Sequence, residues 1–213
     1  MDTNEIIRDI ADKSFDKFKY VEKIQYDEEL RDFIIDQMIS NKNIMVYYHC
    51  YDIVSEVSSS KPELFYKYWD ICRNLLHHKN SYHRDIGLTM IANLSKSDEN
   101  NLIVEAIDEY LEHAHDDKFM TSRCCIKNSS KILLNKPELM DKIIVYFKNL
   151  PDNCNYPIKQ KELLISDIIE VFDTIYDKYG NKEEIINFVR YKTNSVSPKT
   201  RKAAKEFILK HKN

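Results

Sequence analysis

The sequence predicts an all-α fold, and three observations lead to this prediction. The chain has only two Gly and five Pro in 213 residues. These are too few for the turns of a β-sandwich or barrel, or for the Gly-rich phosphate loops of a doubly wound α/β fold. Apolar residues recur every three to four positions, the period of one helix face. The same pattern also returns at an interval of about 39 residues, which indicates a tandem array of helix pairs.

Length and composition indicate one continuous domain, residues 1–213, in which 43% of the residues are hydrophobic. No run of about 18 apolar residues is present for a membrane span. The acidic, amphipathic start MDTNEIIRDIADK is unlike a secretory signal. The five cysteines include no C-x-x-C pair, which favours reduced, mostly buried thiols. We therefore predict a cytoplasmic protein that is not associated with a membrane.

The repeat interval defines one helix of each unit. Segments that start at Met45, Arg84, Arg123, Glu162 and Arg201 align without gaps. Two columns, one helical turn apart, then consist of Tyr47, Ile86, Cys125, Leu164 and Ala203 and of Tyr51, Met90, Ser129, Ile168 and Phe207. Each segment is predicted to form the second helix of a pair, because its apolar stripe needs a neighbouring helix to cover it.

The segment K-P-E-L occurs twice and predicts the start of two first helices. Ser60 precedes one copy and Asn135 precedes the other, each with Pro two residues later and Glu three residues later. This arrangement is typical of a helix N-cap followed by its first turn. Ser60 and Asn135 are therefore predicted to be N-caps.

Other boundaries are predicted near the two ends of the chain. Gly180 is predicted to end a long helix from about residue 158 through a left-handed C-cap, and Ser197 with the proline after it opens the last helix. Residues 4 to about 24 are predicted to form one extra N-terminal helix. The domain prediction is thus an N-terminal capping helix within residues 1–26 and about five helical repeats in residues 27–213.

Three short segments carry a resemblance to a known repeat family. DKFMTSRCC places Asp117 six residues before Arg123, while TRKAAKEFI and HRDIGLTMI each follow an Arg with small and aliphatic residues. These segments resemble the second-helix motif of HEAT repeats, over roughly residues 27–213. Glu162 and Met45 stand where that motif has Arg. The resemblance implies a right-handed α-α superhelix, a HEAT-like or armadillo-like solenoid of about five helix pairs.

The resemblance also supplies an interpretation of the Arg column and of Gly87. In HEAT-like stacks the Arg commonly bonds to the preceding turn or to the neighbouring repeat, which implies a structural role for Arg84, Arg123 and Arg201. Binding of phosphate is the alternative. Gly costs about 1 kcal/mol relative to Ala inside a helix, so we expect a neighbouring helix to pack closely against Gly87.

Aromatic residues crowd the first two units and predict a partner surface there. Tyr48 and Trp69 are candidate anchors, since Tyr and Trp offer a large contact area with few rotatable bonds. Packing in the core or at its rim is the alternative for both. Lys127 and Lys131, in the third aligned segment, are the cationic binding candidates beside Arg84 and Arg123 of the Arg column.

Histidines cluster in two predicted turns that lie one repeat apart. His77, His78 and His83 belong to one turn, and His113 and His115 belong to the next. Adjacent turns of this kind can supply zinc ligands, but the spacings H-E-x-x-H and C-x-x-C are absent from the sequence. Solvated loop histidines are the favoured interpretation, and no metal site is assigned.

The cysteines are interpreted as structural. Cys124 and Cys125 follow Arg123 within a helix, and Cys125 falls in an apolar column, so burial is favoured over redox chemistry. Cys154, in the segment PDNCNYP, is expected to be exposed.

The favoured function is a non-enzymatic scaffold whose concave face binds a protein or peptide, as solenoids commonly do. The alternative is nucleic-acid binding or DNA repair, since some HEAT-like proteins are glycosylases that act on alkylated purines and other bases. No P-loop, nucleophile with its base or cofactor motif is recognised, so no catalytic residue and no cofactor is assigned.

The distribution of charge bears on the nucleic-acid alternative. Residues 1–177 carry 22 Lys and Arg against 32 Asp and Glu, which argues against a nucleic-acid surface there. Residues 178–213 carry 10 against 3 and form a basic C-terminal region. Its cations on or beside the last helix are Lys199, Arg201, Lys202, Lys205, Lys210 and Lys212.

Overall fold

A computed structural model describes residues 2–211, and all of their regular secondary structure is helical. No strand occurs within this range. The predicted all-α class is therefore confirmed. None of the helices in residues 2–211 has the combination of length and apolar character that crossing a bilayer demands.

The N-terminal region forms three short helices instead of the single helix predicted over residues 4–24. They are α1 (Thr3–Ala11), α2 (Phe18–Val21) and α3 (Lys23–Tyr26). Asp12 ends α1, and its carboxylate accepts a hydrogen bond from the amide of Ser14 (2.7 Å). Such a local side-chain turn competes with helical hydrogen bonding, which explains why the helix stops here.

Within residues 28–210, five helix pairs follow, each with a first helix and a second helix joined by a short turn. The first helices are α4 (Glu28–Ser40), α6 (Trp69–Leu75), α8 (Leu102–Glu112), α10 (Met140–Asn153) and α12 (Lys182–Lys192). The second helices are α5 (Ile44–Ser60), α7 (Ser81–Leu94), α9 (Phe119–Asn135), α11 (Ile158–Ile175) and α13 (Pro198–Lys210). Short 3-10 turns include Pro62–Leu64, Tyr66–Tyr68, Ser95–Ser97, His113–His115, Pro137–Leu139 and Tyr176–Lys178.

Each second helix packs against the next in the order α5, α7, α9, α11, α13. Side chains at equivalent positions are hydrogen-bonded across these contacts. Tyr51 bonds to Thr89, 38 residues away (3.1 Å), and Asn128 bonds to Thr89 across 39 residues (3.2 Å). Thr200 of α13 bonds to the carbonyl of Glu162 in α11 across 38 residues (2.8 Å). The sequence interval therefore corresponds to facing positions on adjacent second helices.

The predicted N-caps before the two K-P-E-L segments are wrong. Ser60 and Asn135 are instead the last residues of α5 and α9. Lys61 and Lys136, each followed by proline, leave the helical region with φ, ψ of −126°, 62° and −130°, 73°. The cause is steric, because a proline ring disfavours helical backbone in the residue before it. Each proline then opens a 3-10 turn, and the α-helix of the next unit begins several residues later.

Gly180 does not form the predicted left-handed C-cap. No glycine in residues 2–211 has a positive φ, and the left-handed residue of this range is Asn101 (φ 57°), directly before α8. After α11 a 3-10 turn continues the chain, and the amide of Tyr179 donates to the carbonyl of Ile175 (3.1 Å). The end of the helix is therefore satisfied without a left-handed residue.

Three other sequence predictions are confirmed. The long helix α11 begins at Ile158, and Ser197 caps α13 by accepting a hydrogen bond from the amide of Thr200 (3.3 Å). Close packing at Gly87 is also observed, because a Cβ added there would lie 2.8 Å from the carbonyl oxygen of Cys72 in α6.

Candidate binding groove

An open groove of about 850 Å³ crosses the second helices from α5 to the start of α11. Its lining combines aromatic, apolar and charged side chains, among them Tyr48, Tyr82, Met120, Tyr156, Lys118 and Lys127. A concavity of this size is typical of sites that bind a small ligand or the side chains of a partner.

Large apolar side chains on the rim of the groove are exposed to solvent. Tyr48 lies on the second turn of α5, while Tyr82 and Met120 are the second residues of α7 and α9. Exposed apolar side chains grouped around a concavity are typical of interaction sites.

The floor of the groove is held by hydrogen bonds from one second helix to the next. The hydroxyl of Thr89 in α7 accepts from Tyr51 of α5 and from Asn128 of α9, and it lies 3.7 Å from the thiol of Cys124. Thr89 is buried between these helices. The polar contacts therefore tie α5, α7 and α9 together below the aromatic rim.

Arg84 is fully engaged within the protein. Its guanidinium binds both carboxylate oxygens of Asp116 (2.6 and 2.7 Å) and one of Asp117 (2.8 Å), and it donates to the carbonyls of His78 and Lys79 (2.9 and 3.2 Å). Burial by itself raises the pKa of Asp116, but hydrogen bonds led by those from Arg84 outweigh it and hold the pKa well below its usual range. Arg84 thus contacts both the preceding turn and the neighbouring unit.

Arg123 is engaged in the same bidentate manner. Asp167 of α11, whose side chain is fully buried, accepts from it at 2.6 and 2.9 Å. The Nζ atom of Lys127 lies 3.6 Å from Asp167 and 3.8 Å from Glu170. A phosphate group would have to displace these carboxylates to reach Arg123, because the bidentate pair already uses the fork of the guanidinium.

Asp85 is an acidic residue of the groove wall. Burial raises the pKa of its carboxyl. The Oδ1 atom has no hydrogen-bond partner in the described part of the chain. The raised pKa means that this carboxyl takes up a proton at a higher pH than an exposed aspartate does.

Two of the predicted binding residues belong to helix packing. Trp69 is only 3% exposed and therefore does not serve as the predicted surface anchor. The 3-10 turns Pro62–Leu64 and Tyr66–Tyr68 precede it and change the face that a continuous helix from Ser60 would have presented. Lys131 is half-buried and donates to the side chain of Asn93 in α7 (2.7 Å), and burial lowers its pKa.

The two histidine turns do not converge on a metal site. In residues 2–211 no group of three or more His, Cys, Asp or Glu side chains is arranged to hold a metal ion. His83 is not a solvated loop residue as predicted, because it is buried, stacks on His78 (4.2 Å between centroids) and contacts the carbonyl of Ile39 (3.2 Å). His113 lies 3.1 Å from Asp116. The contact with Ile39 joins His83 to the preceding unit, whereas the contact of His113 stays within its own turn.

The cysteines are free thiols. Cys125 is buried, as predicted, and burial raises the pKa of the half-buried Cys124 to about 11. The predicted exposure of Cys154 is wrong, since this residue is only 4% exposed. It caps the end of α10, and its sulfur lies 3.8 Å from the carbonyl of Pro151.

Many cations of the basic C-terminal region are bound within the protein. Arg201 donates to two carbonyls of the preceding turn (2.6 and 3.1 Å), and Lys210 binds Asp173 (2.8 Å). Lys212 lies outside the described residues. The described part of this region therefore offers fewer cations to a nucleic acid than its composition indicates.

A row of exposed apolar residues at the starts of the second helices was not predicted from the sequence. They are Ile44, Tyr82, Met120, Ile158 and Val196, with exposed fractions of 61, 54, 62, 63 and 73%. Each lies 38 positions after the one before it. The detectable signal was this recurrence of an apolar residue just ahead of the buried columns.

The groove thus offers apolar contact area and a polar floor, while Arg123 of its lining and Arg84, which binds the lining residue Asp117, are already bound to carboxylates. Comparison with known proteins does not assign a family, because no protein-family model matches the chain and no curated protein sequence matches it.

Proposed function

We propose that the chain is a HEAT-like α-solenoid that binds a protein or peptide across its second helices. The observation that carries this proposal is the groove of about 850 Å³ with Tyr48, Tyr82 and Met120 exposed on its rim. Aromatic and Met side chains are effective anchors, because they bury a large area and adapt to a partner surface.

Two features support the solenoid architecture. Facing residues of adjacent second helices lie about 39 positions apart, as stacked repeats require. Arg84 and Arg123 each bind a carboxylate of the next unit, the arrangement that the HEAT resemblance implies. Stacking of this kind creates the long surface on which solenoids bind partners.

Nucleic acid is the weaker candidate for the groove. Arg123, the arginine of its lining, is neutralised by Asp167, and Lys118 lies 3.2 Å from Asp117. A surface for nucleic acid needs cations that are available to phosphates.

The test compares capture of partners from a lysate of the source cells. The double variant Tyr82→Ser with Met120→Ser replaces two of the exposed apolar side chains on the rim. Ile71→Ser with Val145→Ser is the matched control on exposed positions of α6 and α10. We expect wild type and control to retain a partner that the rim variant loses. Equal recovery by both double variants would remove the groove from the function. Salt-sensitive binding of a labelled DNA duplex would favour nucleic acid instead.

A further inference from the structure

We propose that the partner is an acidic peptide segment with large apolar side chains, bound along the edge where the second helices begin. This inference rests on the proposed function and specifies the chemistry of its partner. The edge, called the open edge below, is defined by Ile44, Tyr82, Met120, Ile158 and Val196.

The residues of the open edge form one row. Four of them are the first or second residue of a second helix, and Val196 lies two residues before α13. Successive second helices pack side by side. Helices in contact are separated by about 8–10 Å, so the five side chains extend over roughly 32–40 Å.

Two concavities indent this row. The first is the groove described above, which includes Tyr82 and Met120. The second has a volume of about 500 Å³, lies between Ile158 and Val196, and is lined mainly by apolar atoms. Gln160 lines the first concavity and Lys159 lines the second, so the two meet at the first turn of α11.

Lysines accompany the apolar residues along the whole row. Exposed lysines within three residues of the open edge are Lys42, Lys79, Lys118, Lys159 and Lys199. Within residues 2–211, Lys42, Lys79 and Lys159 form no ion pair, Lys118 pairs with the exposed Asp117, and Lys199 lies 4.0 Å from Glu170. Lysines of this row that form no ion pair favour an acidic partner.

A peptide fits this edge better than a lipid surface, although apolar and cationic residues together also bind anionic bilayers. A bilayer is flat on this scale and would leave both concavities unfilled, whereas apolar side chains of a peptide enter them. The centres of the two concavities lie about two helix spacings apart, roughly 16–20 Å. An extended chain covers that distance in about five or six residues. We therefore expect two large apolar anchors at that spacing, with Asp or Glu around them.

The test is selection from a random linear peptide library displayed on phage, with the full chain as target. We expect enriched peptides to carry Asp or Glu and two large apolar residues about five or six positions apart. Their affinity should fall about tenfold or more for Ile158→Ser with Val196→Ser, and similarly for Lys118→Glu with Lys159→Glu. The control variant, Leu209→Ser with Lys178→Glu, changes exposed residues away from this edge and should bind unchanged.

The outcomes separate this inference from the proposed function. Peptides that require Tyr82 and Met120, but are not acidic or do not respond to the Ile158 and Val196 substitutions, overturn the inference and leave the proposed function standing. Peptides whose binding changes neither with the Tyr82→Ser, Met120→Ser variant nor with the Ile158→Ser, Val196→Ser variant overturn both the inference and the proposed function. Failure to enrich any peptide overturns the inference alone, because the groove can still bind a folded protein. Sedimentation with phosphatidylserine vesicles that is lost in the Ile158→Ser, Val196→Ser variant assigns the edge to a membrane and also overturns the inference.

Discussion

Charged side chains differ in burial between the two edges of the helix stack. At the edge where the second helices end, called the closed edge, Asp98 has a fully buried side chain. Its carboxylate accepts from the amides of Leu102 and Ile103 at the start of α8 (2.9 and 3.0 Å) and from the hydroxyl of Tyr66 (2.7 Å). Lys136 is also buried there, with Nζ 3.6 Å from Asp98. The polar groups of this turn are thus bound inside the protein.

At the open edge, lysines and large apolar side chains remain in solvent. The same residue type therefore has different roles at the two edges: Lys136 joins units, whereas Lys159 forms no ion pair in the described residues. The comparison indicates that substitutions of buried polar residues at the closed edge reduce stability, while those of the exposed residues at the open edge affect binding and leave stability nearly unchanged.

The largest effect is expected for Asp98→Ala at the closed edge. This variant removes the acceptor of two amides at the start of α8 and leaves Lys136 buried without its carboxylate, so we expect a loss of about 4 kcal/mol in the free energy of unfolding. Urea denaturation measures it. Asp108→Ala within α8 is the control, because Asp108 is exposed and its pair with Lys142 contributes at most about 1 kcal/mol. Equal losses for the two variants would contradict the assignment of Asp98.

Asp116→Asn tests the buried ion pair with Arg84, which lies beside the exposed residues of the open edge. We expect a loss of about 2 kcal/mol at neutral pH, because Asp116 binds Arg84 through charge-assisted hydrogen bonds. Its folded-state pKa is lowered. The contribution is therefore complete above the unfolded-state pKa of about 3.9 and is lost as the pH falls through the folded-state value. Unfolding free energies at several pH values should show the difference from wild type shrinking below about pH 4; a difference independent of pH would rule out this account.

Gly87→Ala tests the helix contact between the two edges. Ala improves helix propensity by about 1 kcal/mol, but its Cβ would approach the carbonyl oxygen of Cys72 to 2.8 Å and the Cβ of Leu75 to 3.0 Å. We expect overpacking to outweigh propensity and to destabilise the protein by about 1.5 kcal/mol. Gly180→Ala is the control, since an added Cβ there meets no atom within 4 Å. Thermal unfolding of both variants gives the comparison, and a Gly87→Ala protein as stable as the control would refute the close contact.

The smallest effect on stability is expected for the open edge itself. Met120→Ser and Ile158→Ser change exposed side chains and should alter the free energy of unfolding by no more than about 0.5 kcal/mol. Ile168→Ala, which truncates a fully buried residue of α11, should cost about 3 kcal/mol. Chemical denaturation distinguishes these cases. A large loss for Ile158→Ser would mean that this residue serves the core instead of a partner.

The fold was predictable where the sequence repeats itself. Aligned positions such as Tyr51 and Met90 identified the second helices, because every second helix needs the same apolar stripe to contact both of its neighbours. The first helices were harder to place. Lys61 and Lys136 end the preceding helix for steric reasons and a 3-10 turn follows, so the K-P-E-L segments, which resembled helix starts, stand between elements.

The candidate groove was predictable only in part. Tyr48 was identified from aromatic crowding and lies on the rim, whereas Trp69 is buried because the preceding 3-10 turns change the face on which it lies. Arg84 and Arg123 line or border the groove, but their carboxylate partners come from elements 32 and 44 residues away. Pairing over such distances depends on how helices pack, which local sequence patterns do not specify.

The spacing of the contacts between adjacent units has a consequence for biosynthesis. Side-chain bonds such as Arg84 to Asp116 and Arg123 to Asp167 connect residues only 32 and 44 positions apart. A nascent chain therefore needs to extend by only about one further unit before the preceding one can complete its contacts, and low contact order of this kind favours rapid folding. We expect the chain to assemble progressively as it leaves the ribosome, beginning with its N-terminal helices.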